Sequence, residues 1–401
     1  MEVSIQVFPA KNGDSILLRY GGTAKKNILI DGGYVHTFNH YIQKEMVRLS
    51  AQKEALDYLI VTHIDSDHIL GAIALLKNNR EKNIIEIRNV WHNTYRQLYN
   101  LSALPETISH HTIGLLKRVI SRGFKNSLAD NDSGEVSAKQ GTTLAAHILN
   151  DNYQWNTEFG GKAVCIENAR MITLNTDASI FLLSPDRSKL EALRKYWKEK
   201  LEEYGIGYSK SAVDLYDDVF EMLMSWDKKQ NVSRVGPKSS RVETIEALAQ
   251  EKDIYDITPT NGSSIAFIIS IKEKKLLFLA DAHTDLILKS LNDYQPEGKI
   301  IFDMIKIAHH GSAANTSKAL LEKMDARKYV FSTNGFKDGH PDKVTIARIV
   351  VRPSSFQREL IFNYVTDNSR YFDKIEWKDK YNYSITYLTE EPFIVLLDGE
   401  N

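Results

Sequence analysis

The sequence predicts an α/β protein. Short apolar runs such as 59–61 and 265–271 have the length of buried strands, and they alternate with segments in which apolar residues recur at helical spacing. Several of these runs end abruptly in histidine and aspartate, which places polar side chains at strand ends. With 401 residues the chain can bury a large core, as one large domain or as two.

Composition narrows the class of protein. Apolar residues make up 42% and charged residues 26%, which is typical of a globular protein. The formal net charge of −1 gives no overall attraction to nucleic acid, so polyanion binding would have to come from local patches. The start of the chain lacks a signal-peptide pattern and no run approaches the ~18 apolar residues of a membrane helix, so we expect no membrane association. A single cysteine, Cys165, fits a reducing compartment, and a cytoplasmic location is expected.

The first strands are short. Residues 3–8 and 16–20 are predicted to form two strands joined by a polar turn. Residues 27–30 predict a buried strand that ends at Asp31, and residues 36–55 have helical spacing.

The next predicted strand leads into a dense group of candidate metal ligands: His63, Asp65, Asp67 and His68. Two imidazoles and two carboxylates within six residues form a nitrogen and oxygen ligand set suited to zinc, manganese or iron. A helix N-cap is the alternative, because Asp65 and Asp67 precede an apolar segment. Capping accounts for one carboxylate but not for two histidines, so the pattern favours a metal site.

The motif His63-x-Asp65-x-Asp67-His68 resembles the signature of the metallo-β-lactamase superfamily. Its aspartate at the third position is similar to the branch that contains the soluble domain of the competence protein ComEC. The resemblance implies an αβ/βα four-layer sandwich with a one- or two-metal hydrolytic site at one edge. It also implies that Asp31 supports the loop geometry beside the metals, although a simple strand-to-loop turn remains open.

The middle of the chain departs from the family pattern. A predicted strand ends at Ser184-Pro185-Asp186, where the resemblance implies a histidine immediately before the proline. Serine stands there instead. Either Asp186 or a histidine from elsewhere then completes the first metal site, or only the second metal is held tightly.

A helical insertion is predicted from about residue 190 to 250. Between its helices lies a loop rich in glycine, proline and serine that carries five cations and no acid: Lys228, Lys229, Arg234, Lys238 and Arg241. Such a run is most often a solvated loop. Contact with a phosphate backbone is the alternative, because flexible cations suit a non-specific polyanion.

The second half of the chain restores the resemblance at three strand ends. Asp281 and His283 follow one apolar run, and the resemblance implies that Asp281 bridges two metals. His309 and His310 follow the next run in a His-His-Gly-Ser element like that of the ComEC branch, where one histidine binds the second metal. We favour His309, because it sits at the strand end. His340, in Gly-His-Pro, is a candidate proton donor or phosphate contact.

The predicted organisation is one metallo-β-lactamase-fold domain in four segments. These are an N-terminal half (1–186), the helical insertion (187–255), a C-terminal half (256–350) and a C-terminal β extension (351–401). We expect the extension to add an edge hairpin to the second sheet.

By family analogy, His63 and Asp65 hold a first ion, Asp67, His68 and His309 hold a second, and Asp281 bridges the two. Zinc or manganese suits this set. Two such ions lower the pKa of a shared water. His310, His340 or His283 could protonate the leaving oxygen.

The fold alone does not select the substrate. The ComEC resemblance implies a phosphodiesterase, with DNA or RNA as substrate, and the basic loop agrees with that. The alternatives are a small-molecule hydrolase acting on a cyclic nucleotide or a lactone, and a metal-stapled regulatory or partner-binding module, which Ser184 favours. A regulatory protein partner and a role in host defence are further expectations.

Overall fold

The computed structural model describes residues 2–22, 24–99, 107–124, 141–226, 244–336, 339–388 and 394–396. Its strands are β1 (Glu2–Val7), β2 (Ile16–Gly21), β3 (Lys25–Ile30), β4 (Leu56–Ile60), β5 (Ile87–Trp91), β6 (Gln154–Trp155), β7 (Met171–Thr173), β8 (Ala178–Ser184), β9 (Ala266–Ile271), β10 (Lys274–Phe278), β11 (Ile300–Lys306), β12 (Met324–Phe331), β13 (Arg358–Phe362), β14 (Tyr383–Tyr387) and β15 (Ile394–Leu396).

The α-helices are α1 (Val35–Thr37), α2 (Gln43–Ala51), α3 (Ser66–Lys82), α4 (Tyr95–Leu98), α5 (His110–Arg122), α6 (Leu144–Asn150), α7 (Arg187–Glu203), α8 (Val213–Trp226), α9 (Ile245–Ala249), α10 (Pro259–Gly262), α11 (Thr284–Tyr294), α12 (Lys318–Lys323), α13 (Lys343–Val350), α14 (Asp367–Phe372) and α15 (Ile375–Tyr381). A π-helical stretch, Phe38–Ile42, joins α1 to α2. No helix in the described ranges is long and apolar enough to span a lipid bilayer.

The strands form two mixed sheets. The first has the order β15-β1-β2-β3-β4-β5-β6, and the second has the order β14-β13-β12-β11-β10-β9-β8-β7. In each sheet the strands joined by short turns are antiparallel, whereas β3 to β6 and β10 to β14 run parallel. Parallel neighbours need crossover connections, which the helices supply.

Alternating side chains divide the interior into three apolar layers. In β3, Ile28 and Ile30 face the second sheet, whereas Leu29 faces the helices outside the first sheet. In β10, Leu276 faces the first sheet and Leu277 faces the helices outside the second. This is the period-2 pattern of strands buried on both faces. The predicted αβ/βα four-layer sandwich is confirmed, and its architecture is that of the metallo-β-lactamase fold.

The predicted helical insertion contributes to both outer layers. Trp197 of α7 and Phe220 of α8 pack edge to face, with ring centroids 5.1 Å apart, in the core outside the first sheet. Ile245 of α9 lies in the core outside the second sheet. The basic loop between α8 and α9, with Lys228, Lys229, Arg234, Lys238 and Arg241, lies outside the described residues.

The C-terminal segment differs from the expected edge hairpin. Strands β13 and β14 are parallel neighbours, and α14 and α15 form the crossover between them. Strand β15 leaves the second sheet and pairs antiparallel with β1 in the first. The hairpin prediction is therefore wrong. It overlooked the helical segment that begins at the Thr366 capping box and packs Phe372 and Trp377 against the second sheet.

Candidate metal centre

Seven histidine and aspartate side chains converge where β4, β10 and β11 end. They are buried and come from four short segments: His63 and Asp65 after β4, Asp67 and His68 in the first turn of α3, Asp281 after β10, and His309 and His310 after β11. The carboxyl ends of parallel strands meet at one edge of a sheet, so β10 and β11 bring their residues together. Strand β4, in the first sheet, leads into the other four residues, His63, Asp65, Asp67 and His68.

Asp281 lies at the centre of the cluster. Its Oδ1 is 3.7 Å from His68 Nε2 and 3.9 Å from His310 Nε2. Its Oδ2 is 3.7 Å from His63 Nε2 and 3.5 Å from His309 Nε2. Each carboxylate oxygen therefore faces a different pair of imidazoles.

Asp65 and Asp67 each add a carboxylate to one of these two pairs of imidazoles. Asp65 Oδ2 lies 3.7 Å from His63 Nε2, and Asp67 Oδ2 lies 3.8 Å from His310 Nε2. We use the name site A for His63, Asp65, His309 and Asp281 Oδ2, and the name site B for Asp67, His68, His310 and Asp281 Oδ1. The structure reverses the placement expected for the adjacent histidines, because His310 lies beside Asp67 and His68, whereas His309 lies on the side of His63.

The backbone explains how neighbouring histidines face different ways. His309 and His310 have φ angles of 44° and 56°, in the left-handed region that residues with a Cβ rarely adopt. Their ring centroids are 5.7 Å apart and the ring planes meet at 69°. At Gly311 a Cβ would lie 2.6 Å from Pro341 Cβ, so only glycine fits this turn.

Each of the four histidines forms a hydrogen bond through Nδ1 on the outer side of the cluster. The acceptors are Thr62 Oγ1 for His63 (3.0 Å), Asp31 Oδ2 for His68 (2.8 Å), Asn315 Oδ1 for His309 (2.8 Å) and the carbonyl of Ser332 for His310 (3.0 Å). Because Nδ1–H donates outward, Nε2 presents its lone pair to the interior. Within the described residues, Nε2 of His63, His68 and His310 has no hydrogen-bond partner.

These residues fit a divalent metal centre. The nitrogen-to-oxygen separations of 3.5 to 3.9 Å are too long for hydrogen bonds. Two ligands that each lie about 2.1 Å from one tetrahedral ion are about 3.4 Å apart. Buried imidazole and carboxylate groups with these separations can therefore hold divalent ions, provided that the side chains close in slightly.

The electrostatics of the cluster favour cations. Burial would raise the pKa of Asp281, but His309, His310 and His68 hold it well below its ordinary value. Burial would lower the pKa of His68, but Asp31 and Asp281 outweigh it and raise that pKa to about 10, so without metal His68 is protonated and a bound ion would replace the proton on Nε2. The Asp281 carboxylate is therefore ionised and places negative charge at the buried centre of the cluster.

Sequence reasoning missed the support that the β1–β2 turn gives to site B. Asn12 Nδ2 donates to Asp67 Oδ2 at 2.9 Å. Asp14 accepts from the buried Lys306 ammonium at 2.6 Å, and its other oxygen is 3.4 Å from His310 Nδ1. Burial would raise the pKa of Asp14, but Lys306 and His310 hold it well below the usual range.

The only sequence signal for this support was a polar Asn-Gly-Asp turn between two apolar strands. A Cβ on Gly13 would lie 2.0 Å from the carbonyl oxygen of Asp67, so the turn requires glycine there. The contact between this turn and Asp67 cannot be predicted from spacing along the chain.

Asp31, Ser184 and Asp186 are the three supporting residues that the sequence suggested. Asp31 Oδ1 accepts from the backbone N–H of Thr62 and Oδ2 accepts from His68, so Asp31 orients both flanks of the motif. Asp186 caps α7 by accepting from the N–H of Lys189 at 2.8 Å. Asp186 is thus engaged at the start of α7, and its completion of the first site stays a prediction. Ser184 is buried at the end of β8.

His340 and His283 flank the cluster on the side of His309. The ring of His340 lies 5.5 Å from that of His309, and its Nδ1 is 3.3 Å from Asp342 Oδ1. His283 accepts at Nδ1 from the Lys189 ammonium at 3.1 Å. It is linked to the cluster through Asp256, a residue that the sequence did not single out.

Comparison with known proteins gives a partial match. The family model described as Metallo-beta-lactamase superfamily matches residues 9–120, a range that contains Asp31 and the motif at 63–68. No curated protein matches the sequence. The family match and the two-sheet sandwich together support a place in the metallo-β-lactamase superfamily.

Solved structures resemble the chain only distantly. A mutant of CmlA beta-hydroxylase is 11% identical with a TM-score of 0.37, and the match covers 99% of this chain and 53% of that one. A long form RNase Z from yeast is 11% identical with a TM-score of 0.35, and the match covers 98% of this chain and 44% of that one. The chain thus spans about half the length of these proteins.

Proposed function

We propose that this chain is a metal-dependent hydrolase that cleaves phosphodiesters, with DNA or RNA as substrate. The observation that carries the proposal is the position of Asp281, whose two oxygens each face a separate pair of imidazoles. One carboxylate shared between two ligand groups suits a two-ion hydrolytic centre, in which two ions lie close together.

The proposed ligands follow the two groups. Site A would use His63, Asp65, His309 and Asp281, and site B would use Asp67, His68, His310 and Asp281. In this assignment His309 supplies the imidazole that is missing at Ser184. The assignment of His310 to site B also removes it from the candidate proton donors.

When bound, two divalent ions would supply a water of lowered pKa and positive charge close to the reacting group. Residues of the chain would position the ligands and supply the proton. Asn315 fixes the turn that carries Asp281, since its Nδ2 donates to the carbonyls of Asp281 and Ala282 at 3.1 and 3.2 Å. His340, whose Nδ1 faces Asp342, is proposed to protonate the leaving oxygen through Nε2.

One feature supports a phosphodiester over a carboxylic ester or a lactone, and a second bears on the choice of metal. A pair of ions that share one carboxylate can contact both the attacking and the leaving oxygen of an in-line displacement. The ligand set includes three carboxylates, which suits manganese as well as zinc. The second candidate is a small-molecule hydrolase, favoured by a cavity of about 390 Å³ beside site A.

The test compares substrates and metal states of the purified chain. Single-stranded DNA, RNA, plasmid, bis-p-nitrophenyl phosphate and an acyl lactone are incubated before and after EDTA treatment, and then with zinc or manganese restored. We expect phosphodiester turnover that EDTA abolishes and that added metal restores.

The matched variants are Asp281→Asn and Asp293→Asn. Removing the shared carboxylate should lower turnover at least a hundredfold, because even residues that only support metal ligands affect activity 10- to 100-fold. Asp293 lies at the exposed end of α11, so its variant should behave as wild type. Turnover that survives both EDTA and Asp281→Asn would contradict the proposal, and hydrolysis of the lactone alone would replace the substrate class.

A further inference from the structure

A cavity of about 390 Å³ lies beside site A. It is bounded by the first turns of α7, α10 and α11, and its lining includes Lys189, Ala192, Tyr255, Ile257, His283 and Asp285. Its volume falls in the range of small-molecule binding sites.

Asp256 is shared between this cavity and the metal cluster. It lines the cavity, and its Oδ2 lies 3.4 Å from His309 Nδ1. His309 in turn lies 3.5 Å from Asp281 Oδ2 through its Nε2. The Asp256 carboxylate and the His309 ring therefore connect the cavity wall to Asp281 at the centre of the cluster.

The outer wall of the cavity is apolar and exposed. Tyr255 and Ile257 expose 59% and 84% of their surface, although both are large apolar residues at the edge of a polar site. Pro259 continues the same wall at the start of α10. Exposed aromatic and aliphatic side chains beside a reaction site are suited to packing against a planar ring.

The inner wall offers donors and acceptors with no excess of positive charge. The Lys189 ammonium contacts His283 Nδ1 at 3.1 Å and Asp285 at 2.9 Å. Because an ammonium can only donate, His283 Nδ1 accepts and its Nε2 carries the hydrogen. This buried Nε2–H has no hydrogen-bond partner among the described residues, and Asp256 Oδ1 is 3.8 Å away.

The balance of charge decides the class of ligand. One ammonium faces two carboxylates, Asp256 and Asp285, so the cavity is unsuited to a second phosphate group. A neutral planar group that carries both donors and acceptors on its edge matches the inner wall, and its faces match Tyr255. Nucleobases have these properties, and their stacking on aromatic side chains tolerates any base.

We propose that this cavity binds a nucleobase of the substrate, next to the phosphodiester that is positioned at the metal cluster. Tyr255 stacks on the base, and Lys189, His283 and Asp285 contact its polar edge. The choice of a nucleotide rests on the proposed function. The cavity itself would then select nucleic acid over small phosphodiesters that lack a base.

Binding to the full-length chain, as purified with its metal, separates base recognition from phosphate recognition. Isothermal titration with adenosine 5′-monophosphate is compared with ribose 5-phosphate, which has the same phosphate and no base. We expect the nucleotide to bind at least tenfold more tightly. Tyr255→Ala should weaken nucleotide binding about tenfold, whereas Tyr255→Phe should preserve it, because stacking needs the ring. Tyr204→Ala, at an exposed tyrosine that follows α7, is the matched control.

Kinetics provide the second readout. Tyr255→Ala should raise KM about tenfold for a dinucleotide, whereas Tyr204→Ala should leave that KM within twofold of wild type. Equal affinity for the nucleotide and ribose 5-phosphate, or no effect of Tyr255→Ala on nucleotide affinity, would overturn the cavity assignment. Preferential binding of an acyl lactone would overturn it as well.

The experiments can reject the cavity assignment and the proposed reaction independently of each other. Base-dependent binding without phosphodiester turnover would support the cavity assignment and reject the proposed reaction. Phosphodiester turnover with no base dependence would support the reaction and reject the cavity assignment.

Discussion

His309 and His310 show how a single turn sets the identity of a site. They are adjacent in sequence, yet each faces a different oxygen of Asp281. The difference comes from two consecutive left-handed residues, a conformation that costs about 1–3 kcal/mol per residue and is retained only where the surroundings enforce it. We infer that the strained turn distributes one histidine to each ion.

The two histidines should therefore be separable by metal content. We predict that His310→Ala lowers the bound metal from about two ions per chain to about one by emptying site B. His309→Ala should lower it by emptying site A, which lacks a histidine at Ser184. Metal analysis after exhaustive dialysis gives the count, with His340→Ala as a control that should retain both ions. Two tightly bound ions in both ligand variants would contradict the assignment.

Asp14 should act on metal binding without contacting the metal. Replacing it with asparagine removes the carboxylate between Lys306 and His310 and leaves the His310 ring less well oriented. We expect Asp14→Asn to weaken metal binding at site B by 10- to 100-fold, as for other residues that orient metal-binding histidines. Competition with a chromophoric chelator measures it, and Asp293→Asn provides the reference. An unchanged affinity would remove Asp14 from the site.

At the residue scale, the sequence predicted those candidate ligands that stand in a recognisable local pattern. The cluster at 63–68, Asp281 and the His309-His310 pair were recognisable because ligand types concentrate where apolar runs end. Lys306 and Asp14 were not, since they are 292 positions apart and meet only through the fold. The division of labour between His309 and His310 depends on backbone angles, which residue types do not specify.

At the element scale, β12 and β13 are joined by a buried ion-pair network. Asp325 accepts from Arg358 at 2.8 and 2.7 Å and from Tyr329 at 2.9 Å. We expect Asp325→Asn to lower the free energy of unfolding by about 3–5 kcal/mol, because Arg358 is left buried without its partner. Urea unfolding at pH 7 tests this, and a loss below 1 kcal/mol would contradict it.

The same network predicts the direction of a pH effect. Burial would raise the pKa of Asp325, but Arg358 and Arg352 lower it below its ordinary value. A carboxylate with a depressed folded-state pKa stabilises the fold above its unfolded pKa of about 3.9 and loses that contribution as pH falls further. The stability difference between wild type and Asp325→Asn should therefore shrink as the pH is lowered from 5 to 3.

The loop between α8 and α9 carries the prediction for polynucleotide binding. Neutral replacements of Lys228, Lys229, Arg234, Lys238 and Arg241 should weaken DNA binding and reduce its salt dependence. The log–log slope should fall by up to about 0.7–0.9 for each phosphate that the loop no longer neutralises. Hydrolysis of bis-p-nitrophenyl phosphate should not change. Fluorescence anisotropy at several salt concentrations measures the affinity and the slope, and an unchanged slope would exclude the loop from DNA binding.

The elements themselves were largely predictable. Most strand positions followed from apolar runs, because strands buried on both faces are nearly continuous in apolar residues. The connection from β13 to β14 was not, since α14 and α15 are short and their pattern is aromatic and charged. Strand pairing across the molecule, such as β15 with β1, is set by tertiary packing and leaves no local signature.

On the scale of the whole molecule, the metal cluster lies between the two halves of the sandwich. Strand β4 and helix α3 belong to the first sheet and its helices, whereas β10 and β11 belong to the second sheet. Ions held by ligands from both would link the halves and stabilise the folded chain.

Metal should therefore raise the melting temperature. With free metal at 1,000 times the dissociation constant, binding contributes about 4 kcal/mol, which corresponds to a shift of about 5 °C for a chain of this size. Thermal scans with EDTA and with manganese measure the shift. Asp281→Asn should show a much smaller response, and equal responses of the variant and wild type would place the metal elsewhere.

The most direct measurement is anomalous diffraction from crystals grown with manganese. We predict two peaks on either side of Asp281, one bounded by Asp67, His68 and His310 and the other by His63, Asp65 and His309. A crystal with no anomalous peak in this cluster, and with the side chains of Asp67, His68 and Asp281 pointing apart, would contradict the metal centre on which the proposed function rests.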